Sequence, residues 1–184
     1  MTELLVPDSA VVLLVGAAGS GKSTFAARHF PAGSVLSSDH LREAISGDAA
    51  NQAVSRAAFA ALHRALEQRL AAGLLSVVDA TNIGGNARAA IRRIARRHGA
   101  PVVAIVLDLE PEVVLARNGA RVERQVPDGA VANQLARLAA TLARGDLATE
   151  GYAFVVRLRD AAAVEATRIR IVPTTPTAPG GAGP

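Results

Sequence analysis

The octapeptide Gly16-Ala-Ala-Gly-Ser-Gly-Lys22-Ser23 lies between an apolar run at 11–15 and a segment that predicts a helix over 22–29. It matches the phosphate-binding pattern G-x-x-x-x-G-K-[ST] in full. The glycines let successive backbone N–H groups turn toward phosphate oxygens, and the following helix adds the positive end of its dipole. The motif therefore predicts a site for a nucleoside triphosphate. The alternative is a Gly-rich turn that only connects strand to helix.

Two side chains of this loop have distinct predicted roles. Lys22 is the only lysine among the 20 Lys and Arg residues of the chain, and a compact ammonium suits the β- and γ-phosphates better than a planar guanidinium. The Ser23 hydroxyl is of the type that ligates Mg²⁺ beside such phosphates. We therefore predict ATP and Mg²⁺ as ligands, with the nucleotide bound by Gly16, Ala17, Ala18, Gly19, Ser20, Gly21, Lys22, Ser23 and Thr24.

Strands and helices are predicted to alternate along the chain. Apolar runs predict strands at 11–15, 34–37, 75–79, 102–107 and 152–158, with a short edge strand at 168–172. Helices are expected at 22–29, 52–72, 85–98 and 131–142, and from Pro111 onward. This alternation predicts an α/β fold with a parallel sheet covered by helices on both faces. Ligands bind at the carboxyl ends of such strands, so residues 16–23, 38–42 and 79–82 are expected to converge.

The length of 184 residues, half of them hydrophobic, predicts one domain over residues 1–172. The segment 173–184 (PTTPTAPGGAGP) predicts a disordered tail or the stub of a linker. Cysteine is absent, which excludes disulfides and thiolate chemistry and fits a cytoplasmic protein. No run of 18 apolar residues is present, so no membrane span is expected.

Asp39 and Arg42 follow the second predicted strand and are candidates for handling a phosphate acceptor. Transfer of a phosphoryl group to a hydroxyl needs a group that accepts the hydroxyl proton, and a carboxylate at position 39 suits that role. Arg42, one helical turn later, offers paired N–H donors for an anionic part of the acceptor. The alternative is that Asp39 only caps the helix that begins there.

Asp79 ends the third predicted strand and is followed closely by Thr81 and Asn82. A carboxylate at that point is typical of a residue that holds Mg²⁺ through water. The alternative is a strand-ending turn in which Asp79 and Asn82 bond their own backbone. We favour the metal role for Asp79.

Arginines form two predicted stripes. A helix would align Arg117, Arg121 and Arg124 on one face, where a mobile lid could bring cations to a transferring phosphoryl group. A solvated arginine face explains that spacing equally well. The second stripe, which we interpret as solvated surface rather than as a nucleic-acid track, consists of Arg88, Arg92, Arg93, Arg96 and Arg97.

Taken together, these segments resemble the 5′-kinase domain of the bacterial polynucleotide kinase-phosphatase end-healing enzymes, an AAA_33-like P-loop kinase domain. The resemblance runs from about residue 11 to 158 and rests on GAAGSGKSTFA (16–26), SSDHLR (37–42), VVDATN (77–82) and RNGARVERQV (117–126). It implies an adenylate-kinase-like P-loop NTPase sheet in the order 2-3-1-4-5, with an Arg-rich lid. It also implies that Asp39 is the general base, that Arg42 binds the acceptor, and that Arg117, Arg124 and Arg121 engage ATP phosphates.

The activity that this resemblance implies is transfer of the γ-phosphate of ATP to the 5′-hydroxyl end of DNA or RNA. In the end-healing enzymes the kinase precedes phosphatase and ligase modules, so such modules are expected as partners. Aromatic residues make up only 3% of this chain, so acceptor binding is expected to depend on arginine contacts and on salt. Two alternatives stay open: a kinase of the same fold for a sugar, antibiotic or nucleotide-sugar hydroxyl, and an ATPase switch without an acceptor.

Overall fold

The computed structural model of the chain describes residues 2–48, 51–121 and 125–174. Strands and helices follow in the order β1 (Thr2–Pro7), β2 (Val11–Val15), α1 (Lys22–His29), β3 (Val35–Ser37), α2 (Ser38–Ser46), α3 (Ser55–Ala71), β4 (Ser76–Asp79), α4 (Gly85–Arg97), β5 (Val102–Leu107), α5 (Pro111–Gly119), α6 (Asp128–Ala143), α7 (Asp146–Thr149), β6 (Phe154–Leu158), α8 (Ala161–Ala166) and β7 (Thr167–Val172). None of the helices in these ranges has the length and apolar composition needed to cross a membrane.

Five parallel strands form the central sheet in the order β3-β4-β2-β5-β6. The strand that leads into the phosphate loop, β2, is the middle one, and it pairs with β4 on one side and β5 on the other. Every residue of β2 and β5 is buried, as expected for strands covered on both faces. If the predicted strands at 11–15, 34–37, 75–79, 102–107 and 152–158 are numbered 1 to 5, the observed order is 2-3-1-4-5. The predicted α/β fold class and strand order are therefore confirmed.

Helices cover the two faces of the sheet through two hydrophobic clusters. Alternate residues of β2 point to opposite faces, so Leu13 joins one cluster and Leu14 the other. Phe25 of α1 packs in the cluster with Leu14. The cluster around Leu13 receives the leucines of α3 that are spaced four residues apart, Leu62, Leu66 and Leu70. This spacing is the amphipathic pattern that predicted the helix.

The strand predicted at 168–172 exists as β7, but it does not join the central sheet. It pairs in parallel with β1, from Thr2 opposite Thr167 to Pro7 opposite Val172. The prediction of an edge strand on the main sheet is wrong because the amino-terminal segment, which was not predicted as a strand, supplies the backbone partners instead.

The end of the described chain lies against its beginning. The backbone N–H and the hydroxyl of Thr174 both donate to Asp8 Oδ1, at 2.9 and 2.7 Å. The segment predicted as a tail, 173–184, therefore starts in contact with the domain. Its residues 175–184 lie outside the described part of the chain, so the disorder predicted for them stays a prediction.

Arg88 ties the start of α4 to the loop behind β4. Its side chain is 1% exposed and donates to the backbone oxygens of Asn82 and Ile83. Its Nε and Nη2 donate to the Glu150 carboxylate at 2.9 and 2.5 Å. The interpretation of the 88–97 stripe as solvated surface is therefore wrong for Arg88. Helical spacing brings it to the inner side of α4 near Ile91, which is also buried.

Replacing Arg88 with methionine is expected to destabilise the fold by about 3 to 5 kcal/mol, because Glu150 would stay buried without its main cationic partner. Urea unfolding of the variant and the wild type measures the difference. The double variant Arg88→Met/Glu150→Gln is the matched control, since it removes both charges, and it should recover most of the loss. A single variant as stable as the wild type would contradict this role of the ion pair.

The ion pair between Arg88 and Glu150 also makes the loss of folding stability in Arg88→Met dependent on pH. Burial acts to raise the pKa of Glu150, but hydrogen bonds from Arg88 and Tyr152 outweigh it and leave the pKa below the ordinary 4.5. A carboxylate with a lowered pKa stabilises the folded state above its ordinary pKa, and the contribution is lost as the pH falls through the lowered value. The destabilisation of Arg88→Met should therefore be full at pH 7 and shrink as the pH falls below 4.5.

Candidate active site

The phosphate loop requires glycine at two positions. Gly19 and Gly21 have φ angles of +89° and +95°, a left-handed conformation that residues with side chains rarely adopt. A Cβ on Gly19 would also lie 2.5 Å from the carbonyl oxygen of Val114, because α5 passes directly behind the loop. The loop is thus packed so closely on α5 that no side chain fits at residue 19.

Lys22 begins α1, and its side chain folds back over the loop. Its Nζ donates to the carbonyl oxygen of Ala17 at 2.8 Å and lies 3.4 Å from the Ser20 hydroxyl. The residue is only 8% exposed. The ammonium is therefore held at the N-terminal end of a helix, where both its charge and the helix dipole favour an anion.

The amide of Ala18 in this loop has an unexpected partner. It donates to Oε1 of Gln134 at 2.8 Å, so α6 reaches back to the phosphate loop. At the start of the loop, the N–H of Gly16 donates to the carbonyl oxygen of Thr81 at 3.0 Å. The loop is thus tied to α6 and to the end of β4 as well as to its own flanking elements.

A cleft of about 540 Å³ opens beside Lys22; we call it the first cleft. Residues at or after the carboxyl ends of β2, β3 and β4 meet there: Lys22, Ser23, Asp39, Arg42, Asp79 and Thr81. The convergence predicted for 16–23, 38–42 and 79–82 at the carboxyl edge of the sheet is therefore observed. The other lining residues are Ala18, Ser38, Gln52, Phe59, Ala80, Arg121, Gln125, Val126, Pro127, Ala130 and Gln134.

Asp39 lies in the first turn of α2, but it is not the residue that caps this helix. Ser37 does so, since its hydroxyl accepts from the backbone N–H of His40 at 3.4 Å. The Asp39 carboxylate is in contact with the guanidinium of Arg42 one turn later. Both side chains are mostly buried, at 21% and 10% exposed. The alternative reading of Asp39 as a helix cap is therefore wrong, and the ion pair fixes its carboxylate at the first cleft.

Asp79 and Ser23 fit the donor set that Mg²⁺ prefers, which is oxygen from carboxylates and hydroxyls. Asp79 is the last residue of β4 and is 5% exposed. Within the described residues, its carboxylate makes no hydrogen bond or ion pair, although it borders the first cleft with Ser23. A buried carboxylate without a protein partner is suited to a cation that arrives with the nucleotide.

Asn82 has a structural role in the turn after β4, which agrees with the alternative of a strand-ending turn. It has a φ of +49°, and its side-chain N–H group donates to the carbonyl oxygen of Leu14 at 2.7 Å. It therefore joins the turn after β4 to the end of β2, immediately before the phosphate loop. The Asn82 side chain thus bonds the backbone of its own turn, as at the carbonyl oxygen of Ala80, whereas the Asp79 side chain makes no such bond within the described residues.

Arg117 lies over the phosphate loop, and Arg121 follows it beyond the end of α5. A Cβ on Gly21 would lie 3.6 Å from Nη1 of Arg117. The prediction that a helix aligns Arg117, Arg121 and Arg124 is wrong for Arg121, because α5 ends at Gly119. Arg124 lies outside the described residues, so its predicted contact with ATP stays a prediction.

A second cleft, of about 330 Å³, borders a different part of the same loop. Arg121 lines both clefts, so they meet at this arginine beside the phosphate loop. The second cleft is lined by Gly19, Ser20, Gly21, Thr24, Phe25, Arg28, Arg117, Arg121, Ala161, Val164 and Glu165. Of the predicted nucleotide-binding residues, Gly16 and Ala17 line neither cleft and support the loop from behind.

Sequence reasoning missed several residues of the first cleft, among them Gln52, Phe59 and Gln134. Gln134 bonds a loop residue 116 positions earlier in the chain, and no spacing rule links the two. Phe59 looks like one more apolar position of an amphipathic helix. Their place in the cleft depends on how α3 and α6 pack on the sheet, which the sequence alone does not reveal.

The phosphate loop at the end of the middle strand, together with the parallel sheet and its strand order, defines a P-loop kinase fold. The chain belongs to the AAA_33 family, described as an AAA domain, because the family's model matches residues 11–142. A comparison with curated protein sequences gives no match.

Solved structures share the fold at low sequence identity. A gluconokinase from Sinorhizobium meliloti 1021 aligns with a TM-score of 0.53 and 19% identity over 84% of this chain and 85% of its own. The AvrRxo1-ORF1:-ORF2 structure with ATP aligns with a TM-score of 0.67 and 16% identity over 85% of this chain and 55% of its own. The Pnkp1/Rnl/Hen1 complex aligns with a TM-score of 0.52 and 23% identity over 65% of this chain and 40% of its own.

Proposed function

We propose that this P-loop kinase transfers the γ-phosphate of ATP to the 5′-hydroxyl end of a nucleic acid. One observation carries the proposal: the lysine of the phosphate loop shares the first cleft with a carboxylate and an arginine, Asp39 and Arg42. A site that only hydrolyses ATP can use a carboxylate to orient the attacking water, but it needs no cation that binds an acceptor. The presence of Arg42 beside Asp39 therefore favours a kinase over an ATPase switch.

In this proposal ATP spans the two clefts. The adenosine enters the second cleft, and the triphosphate passes over the loop toward Lys22, beside Arg117 and Arg121. Arg121 borders both clefts, so its charge is near the point where negative charge develops on the transferring group. Preorganised cations at that point stabilise the transition state more than the ground state.

Asp39 accepts the proton of the attacking hydroxyl. The acceptor oxygen forms a bond to the γ-phosphorus, the bond from that phosphorus to the bridging oxygen breaks, and ADP leaves with its electron pair. Ser23 and Asp79 would hold Mg²⁺, Asp79 through water. When bound, the ion neutralises charge on the phosphate oxygens.

Two side chains of the first cleft support a nucleic acid as the acceptor. Arg42 is a mostly buried cation beside Asp39, so it suits a phosphate one unit away from the reacting hydroxyl, as at the 5′ end of a strand. Phe59 of α3 borders the same cleft and provides an aromatic face for the terminal base. A hydroxyl, a nearby phosphate and a planar base are the features of a terminal nucleotide.

A small-molecule acceptor is the second candidate, and the size of the first cleft favours it. A volume of about 540 Å³ falls within the range of ligand pockets for small molecules, roughly 300–1,000 Å³. Under this alternative, Gln52 and Gln134 would bond the hydroxyls of a sugar or nucleotide-sugar.

A competition assay separates the two candidates. The protein is incubated with γ-labelled ATP, Mg²⁺ and equal concentrations of a 5′-hydroxyl oligonucleotide, gluconate and a nucleotide-sugar. The proposal predicts label on the oligonucleotide and none on the same strand that already carries a 5′-phosphate. Label on a small hydroxyl compound alone would establish the second candidate, and ATP hydrolysis that ignores every acceptor would overturn both.

Arg42→Gln is expected to raise the KM for a nucleoside 3′-phosphate by about 10-fold or more, because a charge-assisted bond to that phosphate is worth roughly 1.5 to 3 kcal/mol. For the matching nucleoside without a phosphate, the variant should leave the KM nearly unchanged. This pairing of acceptors separates the phosphate contact from any effect of Arg42 on Asp39, which would lower the rate with both. Equal changes in KM for both acceptors would contradict the assignment.

A further inference from the structure

The arginines of α4 border a third cleft, of about 770 Å³, that the proposed reaction does not use. It lies at the amino ends of β5 and β6, whereas the phosphate loop lies at the carboxyl end of β2. Arg92, Arg93 and Arg96 line it on one side, and Tyr152 lines it on the other. Arg93 and Arg96 are exposed, so the two cations are open to a ligand in solution.

The third cleft has an excess of positive charge. Glu150 is the only carboxylate among the residues that line it, and this carboxylate is already engaged by Arg88, by Arg92 and by the Tyr152 hydroxyl. Within the described residues, the guanidinium groups of Arg93 and Arg96 make no hydrogen bond or ion pair. Two uncompensated cations in one concave surface favour a polyanion.

Side-chain contacts hold Arg92 and Tyr152 in place in the wall of the third cleft. The Arg92 guanidinium lies 5.6 Å from the centre of the Tyr152 ring and donates to the Glu150 backbone oxygen. Burial and the hydrogen bond to Glu150 raise the pKa of Tyr152, so its hydroxyl stays a donor across the physiological range. Arg92 Nε is buried and has no acceptor among the described residues.

Arg137 lies between the first cleft and the start of α4. It is on α6, one turn after Gln134, which lines the first cleft. A Cβ on Gly84 would lie 3.5 Å from Nη2 of Arg137, so its guanidinium lies over the start of α4. Arg137 is exposed and has no ion pair within the ranges that the structure describes. Exposed cations therefore continue from the acceptor side of the phosphate loop along α4.

We propose that Arg137, Arg93 and Arg96 bind the phosphodiester backbone of the acceptor strand downstream of its 5′ end. This inference rests on the proposed function, since it supposes a nucleic acid in the first cleft. From Gly85 to Arg96, α4 rises about 16 Å at 1.5 Å per residue. At ~3.4 Å per phosphate, the spacing in a strand stacked as in a duplex, about five nucleotides span this length.

The test uses the double variant Arg93→Gln/Arg96→Gln and the control Arg168→Gln/Arg170→Gln, which removes the same charge from two β7 residues that line none of the three clefts. Fluorescence anisotropy follows binding of a 5′-phosphorylated 12-nucleotide strand, labelled at its 3′ end, across a salt series. The first variant should bind about 10-fold more weakly, and the slope of log K against log salt should fall by about 1.4, or about 0.7 for each lost contact. The control variant and a three-nucleotide strand should show no such change.

Binding and turnover distinguish failure of this inference from failure of the proposed function. If the first variant binds the 12-nucleotide strand with the affinity and salt slope of the wild type, the backbone path is wrong, whatever the enzyme phosphorylates. If binding weakens as expected but the wild type adds no phosphate to 5′-hydroxyl strands, the path stands and the proposed function fails. Tighter binding of a poly-glutamate peptide of equal charge would overturn the assignment to nucleic acid.

Discussion

Lys22→Met is expected to lower kcat for phosphate transfer by ~10³-fold, the scale on which a single preorganised electrostatic contact acts on a transition state. Methionine keeps the length and apolar stem of lysine but removes the ammonium that now lies 2.8 Å from the Ala17 carbonyl oxygen. The fold should tolerate the change, because an apolar chain in a site 8% exposed replaces a cation that is costly to bury.

Initial rates with γ-labelled ATP and a saturating 5′-hydroxyl oligonucleotide measure the effect, and thermal unfolding shows whether the variant is folded. Lys22→Arg is the informative companion: it keeps the charge, yet a planar guanidinium does not suit a site made for a compact ammonium, so its rate should also fall steeply. Transfer within 10-fold of the wild type by a folded Lys22→Met protein would contradict the role given to the phosphate loop.

Asp39→Asn is expected to retain ATP binding and to lower kcat by on the order of 10²–10⁴-fold, the usual contribution of a general base. The amide has the shape of the carboxylate but cannot accept the hydroxyl proton. ATP affinity should stay within a few-fold of wild type, because Asp39 is assigned to the acceptor and not to the nucleotide.

Glu43→Gln is the matched control for Asp39→Asn. Glu43 is on the same helix, is exposed and lines neither the first nor the second cleft, so the same loss of one negative charge there should leave kcat unchanged. A near-normal rate in Asp39→Asn would remove the general base from the mechanism, whereas an equal loss in both variants would point to a change in α2 as a whole.

The part of the fold that could be predicted from the sequence is the part with strong local signals. The bounds predicted for β2, α1 and β5 agree with the structure, because continuous apolar runs and the phosphate-loop motif mark them sharply. The strand at Thr2–Pro7 was missed because its apolar run covers only Leu4 to Val6 and because it is stabilised by pairing with β7, far away in the chain.

The arginine stripe of α4 shows why spacing alone misleads. Arg88, Arg92 and Arg96 follow one another at intervals of four residues, and the pattern suggests one solvated face. The structure separates them: Arg88 is buried against Glu150, Arg92 is half-buried on Tyr152, and Arg96 is exposed. The difference arises from the chain around Glu150, which packs beside the helix and is invisible in the spacing of α4.

The candidate site shows the same division between local and distant signals. The motifs located Lys22, Ser23, Asp39 and Asp79, because each lies at or after the carboxyl end of a strand at the same edge of the sheet. Phe59 and Gln134 come from helices whose placement depends on tertiary packing. They border the space where an acceptor would bind, which is the space that decides between a nucleic acid and a small molecule.

The central claim is that the Asp39 carboxylate faces the terminal phosphate held by the lysine-bearing loop. A crystal structure with Mg²⁺, a non-hydrolysable ATP analogue and a 5′-hydroxyl oligonucleotide tests it most directly. We expect an Asp39 carboxylate oxygen about 2.6 to 3.2 Å from the 5′-oxygen, with that oxygen in line with the γ-phosphorus. A carboxylate turned away from the phosphate, with no space between them for the alcohol, would contradict the assignment of Asp39 and with it the proposed transfer.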